Sequence, residues 1–414
     1  MRDRLRGVPY APRLPFIGSL LHLRCARTDV LLDAASRLGD VFALDLVSDH
    51  VLVTGSPAHA VRVLEKRPDI YTDKGGATGF RRSSLPFLGG GLSTWDGMDA
   101  EWRRRRTGMA RVFRSDTMLP DVSHEFTGTT MDQLRGMLER EIVIDLAALL
   151  LAHKPNRVEA DKVARALHRL ARTFWTGKMP GPHPVLSTRI GQEVTALESI
   201  VQGWASAALR TPNSPLALHL GGLTEVQVRD EVLSQLLSAG TLAVPMMWGL
   251  DILARHPGAQ DRLRAALAPG SDDSAYVTWT IREILRMCPS TYWVQRRAIR
   301  DDELSGVTVP AGTRVVIHVP RVHRHPEYWS APDVFRPERF GESTDWKRAW
   351  MPFGRGSRSC IARSYSVDVM NHVLGNIVRA YRIKPIGPPP RLVPAFSLIA
   401  RPAPALSISP LSVG

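Results

Sequence analysis

Cysteine is scarce in this chain of 414 residues. It occurs only as Cys25, Cys288 and Cys360, which are too few and too scattered for a disulfide framework. No Cys-x-x-Cys pair indicates a zinc site. Reduced thiols of this kind are typical of intracellular proteins, so the sequence predicts a cytoplasmic location.

Long hydrophobic runs are also lacking. A membrane-spanning helix needs about 20 apolar residues, and no stretch of the sequence reaches that length. The first 25 residues combine a basic start with a short apolar run, which Pro12 and Pro15 interrupt. No small-residue cleavage site follows this run. We therefore expect neither a membrane anchor nor a signal peptide.

Acidic residues are outnumbered. There are 40 acidic against 54 basic residues, which gives a net charge of +14. Such a balance suits nucleic acid, an acidic protein partner, or an anionic group bound inside the protein. The basic residues are spread along the chain apart from the run Arg103–Arg106, and no long basic tail is present. This distribution disfavours nucleic acid as a partner.

Helical patterns dominate from about residue 99 to 285, whereas strand patterns are short and lie at 41–56 and 307–319. The clearest helix covers 224–257. It starts with a Thr-x-x-Gln cap, ends before Pro257, and is almost entirely apolar from 233 to 253. We therefore expect this helix to be buried on most sides, and we expect Pro245 to kink or open it.

The third cysteine lies in an unusual loop, 350–362, which is rich in glycine, arginine and serine. A thiolate is an electron-rich metal ligand, and positive charge and backbone N–H groups favour it. Gly354 and Gly356 allow the backbone to fold closely around the sulfur. Phe353 can cover one side, and the helix that follows directs its dipole at the sulfur. The loop therefore predicts a buried thiolate at Cys360, although a cysteine without function is the alternative.

The order Phe-Gly-x-Gly-x-Arg-x-Cys, formed by Phe353, Gly354, Gly356, Arg358 and Cys360, resembles the haem-binding signature of the cytochrome P450 family. The resemblance implies haem b (iron protoporphyrin IX) as the cofactor and Cys360 as the iron ligand. It implies that Phe353 and Arg358 contact the haem. It also implies a mainly α fold with small β-sheets, in which one large helical part accompanies a small β-rich N-terminal part within a single domain, 1–414.

Two further sets of residues match the family in the same order along the chain. Glu283 and Arg286 lie one helical turn apart, and Arg339 follows in "FRPERF". Alone, the first two would be read as a surface ion pair. With Arg339, they resemble the family's Glu-Arg-Arg cluster. The expected role of this cluster is structural, and its charges can be buried because they are paired with one another.

The second set resembles the residues that bind the haem propionates. Trp102 and Arg106 are spaced i and i+4, so they share one face of a predicted helix. Arg297 and Arg358 match two further propionate partners. An arginine fork suits a carboxylate, so these four residues are expected to contact the cofactor.

The long helix departs from the family pattern, which usually places an acid and then an alcohol over the iron. Counting back from His256-Pro257 puts Thr241 on the alcohol and Gly240 on the acid. Aligning the Ala-Gly pair instead puts Leu242 and Ala243 there. Both registers lack the carboxylate. We therefore expect either an ordinary oxygenase in which Thr241 and a backbone opened near Gly240 deliver protons, or a different reaction.

The resemblance also predicts where substrate binds. The four segments concerned are apolar and aromatic, which favours an apolar substrate of terpenoid, polyketide or fatty-acyl type. Arg81 and Arg82 are expected to face solvent; the alternative is that one of them binds a carboxylate. The predicted substrate contacts are Phe80, Phe87, Leu237, Thr291, Trp293 and Phe396.

The expected activity is that of a haem-thiolate monooxygenase, which uses O2 for C–H hydroxylation or epoxidation in secondary metabolism, including antibiotic biosynthesis. The alternative is a haem-thiolate enzyme with peroxide-dependent oxidation, oxidative coupling, rearrangement or nitration. A non-enzymatic basic binding module is a third reading. Electrons are expected from a separate ferredoxin and ferredoxin reductase, with Arg103–Arg105 facing solvent at a basic docking surface. The protein is expected to be a monomer.

Overall fold

The computed structural model describes residues 5, 7–14, 16, 18–19, 30–46, 50–71, 84–85, 88–95, 97–114, 119–120, 126–127, 130–175, 189–211, 214–393, 399–401 and 405–411. The chain divides into two compact units. The first unit consists of Met1–Gly79, Arg282–Cys360 and Pro390–Pro402. The second unit consists of Phe80–Ile281, Ile361–Pro389 and Ala403–Gly414. The single domain over 1–414 stays a prediction.

Helices account for most of the regular structure, which confirms the predicted fold class. The helices are α1 (Val30–Leu38), α2 (Pro57–Val61), α3 (Ala100–Val112), α4 (Met131–Leu151), α5 (Arg157–Trp175), α6 (Arg189–Leu209), α7 (Pro215–His219), α8 (Glu225–Leu236), α9 (Ser238–Arg255), α10 (Pro257–Ala266), α11 (Ser274–Met287), α12 (Val319–Val322), α13 (Arg339–Glu342) and α14 (Arg363–Ala380). The strands are β1 (Val41–Asp45), β2 (His50–Thr54), β3 (Trp293–Arg297), β4 (Asp302–Leu304), β5 (Val307–Val309), β6 (Arg314–His318), β7 (Tyr381–Ile386), β8 (Arg391–Val393), β9 (Ile399–Arg401) and β10 (Ala405–Pro410).

The first unit is built on a four-stranded sheet with the order β1-β2-β6-β3. Strand β2 is antiparallel to β1 and parallel to β6, and β3 is antiparallel to β6 with Arg297 opposite Arg314. The alternating and branched residues of 41–56 and 307–319 form strands where the sequence predicts them. The helix predicted after this first hairpin also forms, as α2 and then one π-helical turn, Arg62–Lys66.

The second unit is a helical bundle. Helix α4 packs against α5 and α9, α8 packs against α6, and α9 packs against α14. Strands β7 and β10 form a two-stranded sheet. Helix α14 begins three residues after Cys360, as the sequence predicts.

The long helix predicted for 224–257 is present as two helices. Thr224 and Gln227 form the predicted capping box at the start of α8, and α9 ends at Arg255 before His256-Pro257. The interruption lies at Leu237, whereas α9 runs on through Pro245, where we expected it to open. The Thr241 hydroxyl donates to the Ser238 carbonyl at 2.8 Å, a local bond that competes with the helical ladder just after the interruption.

In the described part of the chain, one stretch passes a length and composition test for a membrane span, which corrects the expectation that no stretch is long enough. It is Glu225–Arg255, and 72% of its most apolar window is buried inside the protein. Most of the α9 side chains are buried, including Trp248 and Leu250. This burial agrees with the prediction of a helix that is covered on most sides.

Candidate functional site

The loop before Cys360 is closed by its own backbone. The Cys360 N–H donates to the Phe353 carbonyl at 2.7 Å, and the Gly354 N–H donates to the Met351 carbonyl at 3.0 Å. Gly354 has a φ of 66°, a conformation that costs glycine little. The cysteine therefore lies at the end of a tight backbone turn.

Gly356 fixes the path of this loop. Its φ is 72°, and a β-carbon there would collide with the Leu64 carbonyl of the π-helical turn. The adjacent Arg355 bonds Glu65 of the same turn, with 2.9 Å between Nε and Oε1. The glycine is required because two stretches of backbone touch here.

Cys360 is not covered by the described part of the polypeptide; the expectation of a buried sulfur concerns the cofactor-bound protein and stays a prediction. Gly354, Gly356 and Ser359 surround the turn with little side-chain volume, so the loop itself does not cover Cys360. The Phe353 ring packs edge-on against Trp350, with 6.1 Å between the centroids. The thiol therefore presents an accessible face.

Two predicted propionate partners belong to the same unit as Cys360. Arg358 lies in a 3-10 turn two residues before the cysteine. Arg297 lies on β3 and donates to the Gly312 carbonyl at 3.2 Å. Both residues are half-buried, and the Nε atom of each guanidinium is buried.

The structure brings together the three charges of the predicted Glu-Arg-Arg cluster. Arg286 donates to Glu283 from Nε at 2.7 Å and from NH2 at 2.9 Å. Arg339 Nε donates to the same carboxylate at 3.1 Å, as does the Arg336 backbone N–H at 3.0 Å. Glu283 and Arg286 are fully buried, and burial lowers the pKa of Arg339. Both carboxylate oxygens are thus saturated with donors.

His323 links this cluster to the cysteine loop, and sequence reasoning missed it. Its Nδ1 donates to the Arg286 carbonyl at 3.0 Å, and its Nε2 accepts from the Met351 N–H at 2.9 Å. Burial lowers the pKa of His323 to about 3. The neutral ring is therefore a fixed bridge, and its only sequence signal was a histidine within the proline-rich meander.

Trp102 and Arg106 share one face of α3, as their spacing predicts. Asp99 caps the helix by accepting from the Trp102 N–H at 2.8 Å. The indole of Trp102 is buried, and the Arg106 guanidinium lies 5.4 Å from its ring centroid. Trp102 and Arg106 belong to the second unit.

The neighbouring Arg105 does not face solvent, which corrects the prediction for it. It is 4% exposed and pairs with Glu101 at 2.7 Å and with Glu231 at 3.2 Å. Burial raises the pKa of Glu231, and hydrogen bonds from the Leu92 N–H and from Arg105 oppose this rise. Because Glu231 lies on α8, 126 residues away, no local pattern could indicate this pair. Arg104 is exposed and pairs with Glu101.

Three consecutive glycines, Gly89–Gly91, lie against the same helix. The Gly90 N–H donates to Asp230 at 2.8 Å, and the Leu92 N–H donates to Glu231 at 3.1 Å. Gly89 has a φ of 59°, and a β-carbon at this position would collide with the Asp230 carboxylate. The run therefore serves close docking on α8.

On α9, Thr241 and Gly240 are both partly exposed, whereas Leu242 and Ala243 are buried. Among the predicted substrate contacts, Leu237 is buried at the junction of α8 and α9. Thr291 and Trp293 are half-buried at the start of β3. Phe80, Phe87 and Phe396 lie outside the described residues, as do Arg81 and Arg82.

The donor set limits which metal group the Cys360 loop can accept. Across the described residues, no three His, Cys, Asp or Glu side chains converge to hold a metal ion. One accessible thiol suits a prosthetic group that brings its other metal ligands with it. A haem does so, because its porphyrin supplies four nitrogens and it needs one axial protein ligand. The residues present therefore fit a haem.

Comparison with known proteins identifies the family. The model of the cytochrome P450 family matches residues 8–156 and 219–408, so this chain belongs to the cytochrome P450 family, whose members are in general haem monooxygenases. The unmatched segment, 157–218, contains α5 and α6.

Individual relatives match less evenly. "Putative cytochrome P450 137" of Mycobacterium tuberculosis is 34% identical over 38% of this chain and 33% of the relative. "Putative cytochrome P450 132" of Mycobacterium bovis is 35% identical over 59% of this chain and 61% of the relative. "Cytochrome P450 81Q32" of Catharanthus roseus is 24% identical over 92% of this chain and 85% of the relative. The match to the first of these spans about a third of that relative's length.

Proposed function

We propose that the protein is a haem-thiolate monooxygenase that inserts one oxygen atom from O2 into an apolar small molecule by C–H hydroxylation or epoxidation. The observation that carries this proposal is the accessible Cys360 thiol at the end of a backbone-closed loop. Family membership supports the same conclusion. The proposed cofactor is haem b, which when bound supplies the oxygen-activating iron.

The proposed roles follow from the chemistry of the side chains. Cys360 binds the iron, and Phe353 packs on the cofactor. Guanidinium forks and an indole N–H suit two propionates, so the residues proposed to bind the haem propionates are Trp102, Arg106, Arg297 and Arg358. The residues proposed to contact substrate are Phe80, Phe87, Leu237, Thr291, Trp293 and Phe396.

The Glu283, Arg286 and Arg339 cluster is proposed to hold the meander that leads into the cysteine loop. Its contacts with the Ser330, Ala331 and Val334 carbonyls support this role. A terpenoid, polyketide or fatty-acyl substrate in secondary metabolism, including antibiotic biosynthesis, is part of the proposal. So are electron supply by a separate ferredoxin and its reductase, a cytoplasmic location and a monomeric state.

A spectrum tests the proposal. The reduced protein with carbon monoxide should show the red-shifted Soret band of a thiolate-ligated haem. Replacing the ligand in Cys360→Ala or Cys360→Ser should abolish that band, whereas the buried Cys288→Ser should retain it as a matched control. An unchanged band in Cys360→Ala would refute the proposal.

A second candidate is a haem-thiolate enzyme with peroxide-dependent oxidation, oxidative coupling, rearrangement or nitration. Gly240 favours it, because a glycine replaces the acid expected beside Thr241. Thr241→Ala separates the two candidates. If an oxygenase uses the hydroxyl in proton delivery, this change should lower product per electron by up to about 10²-fold and release peroxide. Unchanged coupling and turnover would favour the second candidate.

A further inference from the structure

A carboxylate from a different helix lies beside Gly240. Among the described residues outside this stretch of α9, an ideal β-carbon at position 240 would have one neighbour within 4 Å, the Glu139 Oε1 atom at 3.8 Å. The described residues leave the rest of the space around this position open. Glu139 belongs to α4, which packs against α9 within the same unit. An acid thus faces the position where α9 itself has none.

Glu139 is buried but loosely held. Its side chain is 7% exposed, and the same Oε1 atom lies 3.3 Å from His168 Nδ1 and 3.9 Å from Arg135 Nε. The other ring nitrogen, His168 Nε2, is buried and has no hydrogen-bond partner among the described residues. The Nδ1 atom of this imidazole is directed at Glu139.

Glu139 and His168 also line a cleft of about 650 Å³ between α4 and α5. The rim of the cleft is in water, because the side chains of Asp132 and Arg165 are 75% and 58% exposed. Glu139 therefore lies both on the wall of this cleft and against Gly240. The other charged groups that line the cleft are Asp132, Arg135, Arg140, Asp161, Arg165 and Arg169.

We propose that Glu139 supplies from α4 the proton-relay carboxylate that α9 lacks at Gly240, and that the cleft between α4 and α5 is where protons enter. This inference rests on the proposed monooxygenase function. The reaction O2 + RH + 2e⁻ + 2H⁺ → ROH + H2O consumes two protons for each oxygen atom inserted. Those protons must cross the bundle from solvent.

The relay is a sequence of proton transfers that leaves each residue unchanged. Hydronium in the cleft gives a proton to Glu139, whose Oε1 atom lies 3.3 Å from His168 Nδ1. Glu139 then gives this proton across the open space at Gly240 to the Thr241 oxygen, and Thr241 releases its own hydroxyl hydrogen toward the reacting oxygen. Before the transfer that hydrogen is donated to the Ser238 carbonyl, so the hydroxyl rotates as it passes the proton on. Glu139 then acts through Thr241 and is a positioning residue of the relay.

The alternative is that Glu139 only joins α4 to α5 as an ion pair. A rescue experiment separates the two roles. Glu139→Gln removes the acid at nearly constant volume, and Gly240→Asp returns a carboxylate to the open position beside it. Glu141→Gln is the matched control, because Glu141 is an equally buried carboxylate on α4 with arginine partners.

The first readout needs no known substrate. Oxygen uptake by the haem-loaded protein is measured with NADPH, a plant-type ferredoxin and its reductase. We expect about tenfold slower uptake in Glu139→Gln, less than the ~10²-fold of a positioned general acid because water can enter the open space. Glu141→Gln should stay within about twofold of the unchanged protein. Glu139→Gln with Gly240→Asp should regain most of the rate, and with Gly240→Asn it should not.

The second readout is independent of turnover. In the diamagnetic, carbon-monoxide-bound ferrous form labelled with ¹⁵N-histidine, the His168 Nδ1 signal should shift in Glu139→Gln and stay in place in Glu141→Gln. His168→Gln assigns the signal. An unmoved signal in Glu139→Gln would show that the contact is absent and would overturn the proposal.

The outcomes divide cleanly. If Glu139→Gln shifts the His168 signal but leaves oxygen uptake unchanged, or if Gly240→Asp fails to restore the rate, Glu139 is structural only and the proposal is wrong. If the unchanged protein shows no thiolate-haem spectrum, the proposed function fails first, and the relay falls with it. A slow Glu139→Gln variant rescued by aspartate but not by asparagine supports the relay.

Discussion

Two buried glutamates, Glu283 in the first unit and Glu139 in the second, show how the same side chain serves different ends. Glu283 is fully buried and accepts four hydrogen bonds at 2.7 to 3.1 Å. Glu139 is also buried, but the nearest nitrogens of its basic partners, His168 and Arg135, lie at 3.3 and 3.9 Å, and open space adjoins it at Gly240. A saturated carboxylate holds backbone in place, whereas a loosely held one beside open space can exchange protons.

The largest expected effect comes from breaking the saturated cluster. Glu283→Ala leaves Arg286 and Arg339 buried without their carboxylate, which should cost about 3–5 kcal/mol in the free energy of unfolding and prevent haem incorporation. Denaturant unfolding and haem content measure this. Glu342→Ala, which removes an exposed partner of Arg336, is the control and should cost less than about 1 kcal/mol. Normal haem content and stability in Glu283→Ala would contradict the structural role.

A smaller loss in the free energy of unfolding is expected when the pH is lowered. Burial lowers the native pKa of His323 to about 3 from its ordinary value of 6.5, so between these values the unfolded chain binds a proton that the native protein does not. Stability from this group is complete above pH 6.5 and is lost as the pH falls towards 3. The loss should be about 1.4 kcal/mol per pH unit in that window.

The measurement is the free energy of unfolding of the protein and of His323→Asn between pH 7 and 4.5. Asparagine cannot titrate, so the variant should be less stable at pH 7 but should lose stability less steeply as the pH falls. His256→Gln, at an exposed histidine, should keep the original slope. Equal slopes in the protein and in His323→Asn would show that another group governs the loss.

Motif spacing predicted the elements that depend on short-range order. Four features follow from residues within a few positions of one another: the cysteine turn, the Glu283–Arg286 pair, the shared face of Trp102 and Arg106, and the capping box of α8. Arg339 is more distant, and the family resemblance rather than local physics indicated it.

What the sequence could not predict depends on contacts between distant segments. Arg105 was expected to face solvent because nothing near it in sequence indicates its partner Glu231, which lies on another helix. Nothing near His323 in sequence indicates the two backbone groups that it bonds. Gly240 was read as a missing acid, since nothing near it in sequence indicates Glu139, 101 residues earlier. The interruption at Leu237 was also missed, because Pro245 was the stronger local signal.

The contact between Gly356 and the Leu64 carbonyl has a consequence for how this protein can vary. The cysteine turn rests on main chain, so exchanging the side chain at Leu64 would not by itself remove the contact with that carbonyl. A change of length would act differently. A π-helical turn holds one residue more than an α-turn, so deleting one residue from Arg62–Lys66 would rotate that carbonyl away and alter the support beneath the cysteine turn. We therefore expect this stretch to tolerate side-chain substitutions but not the insertion or deletion of a residue.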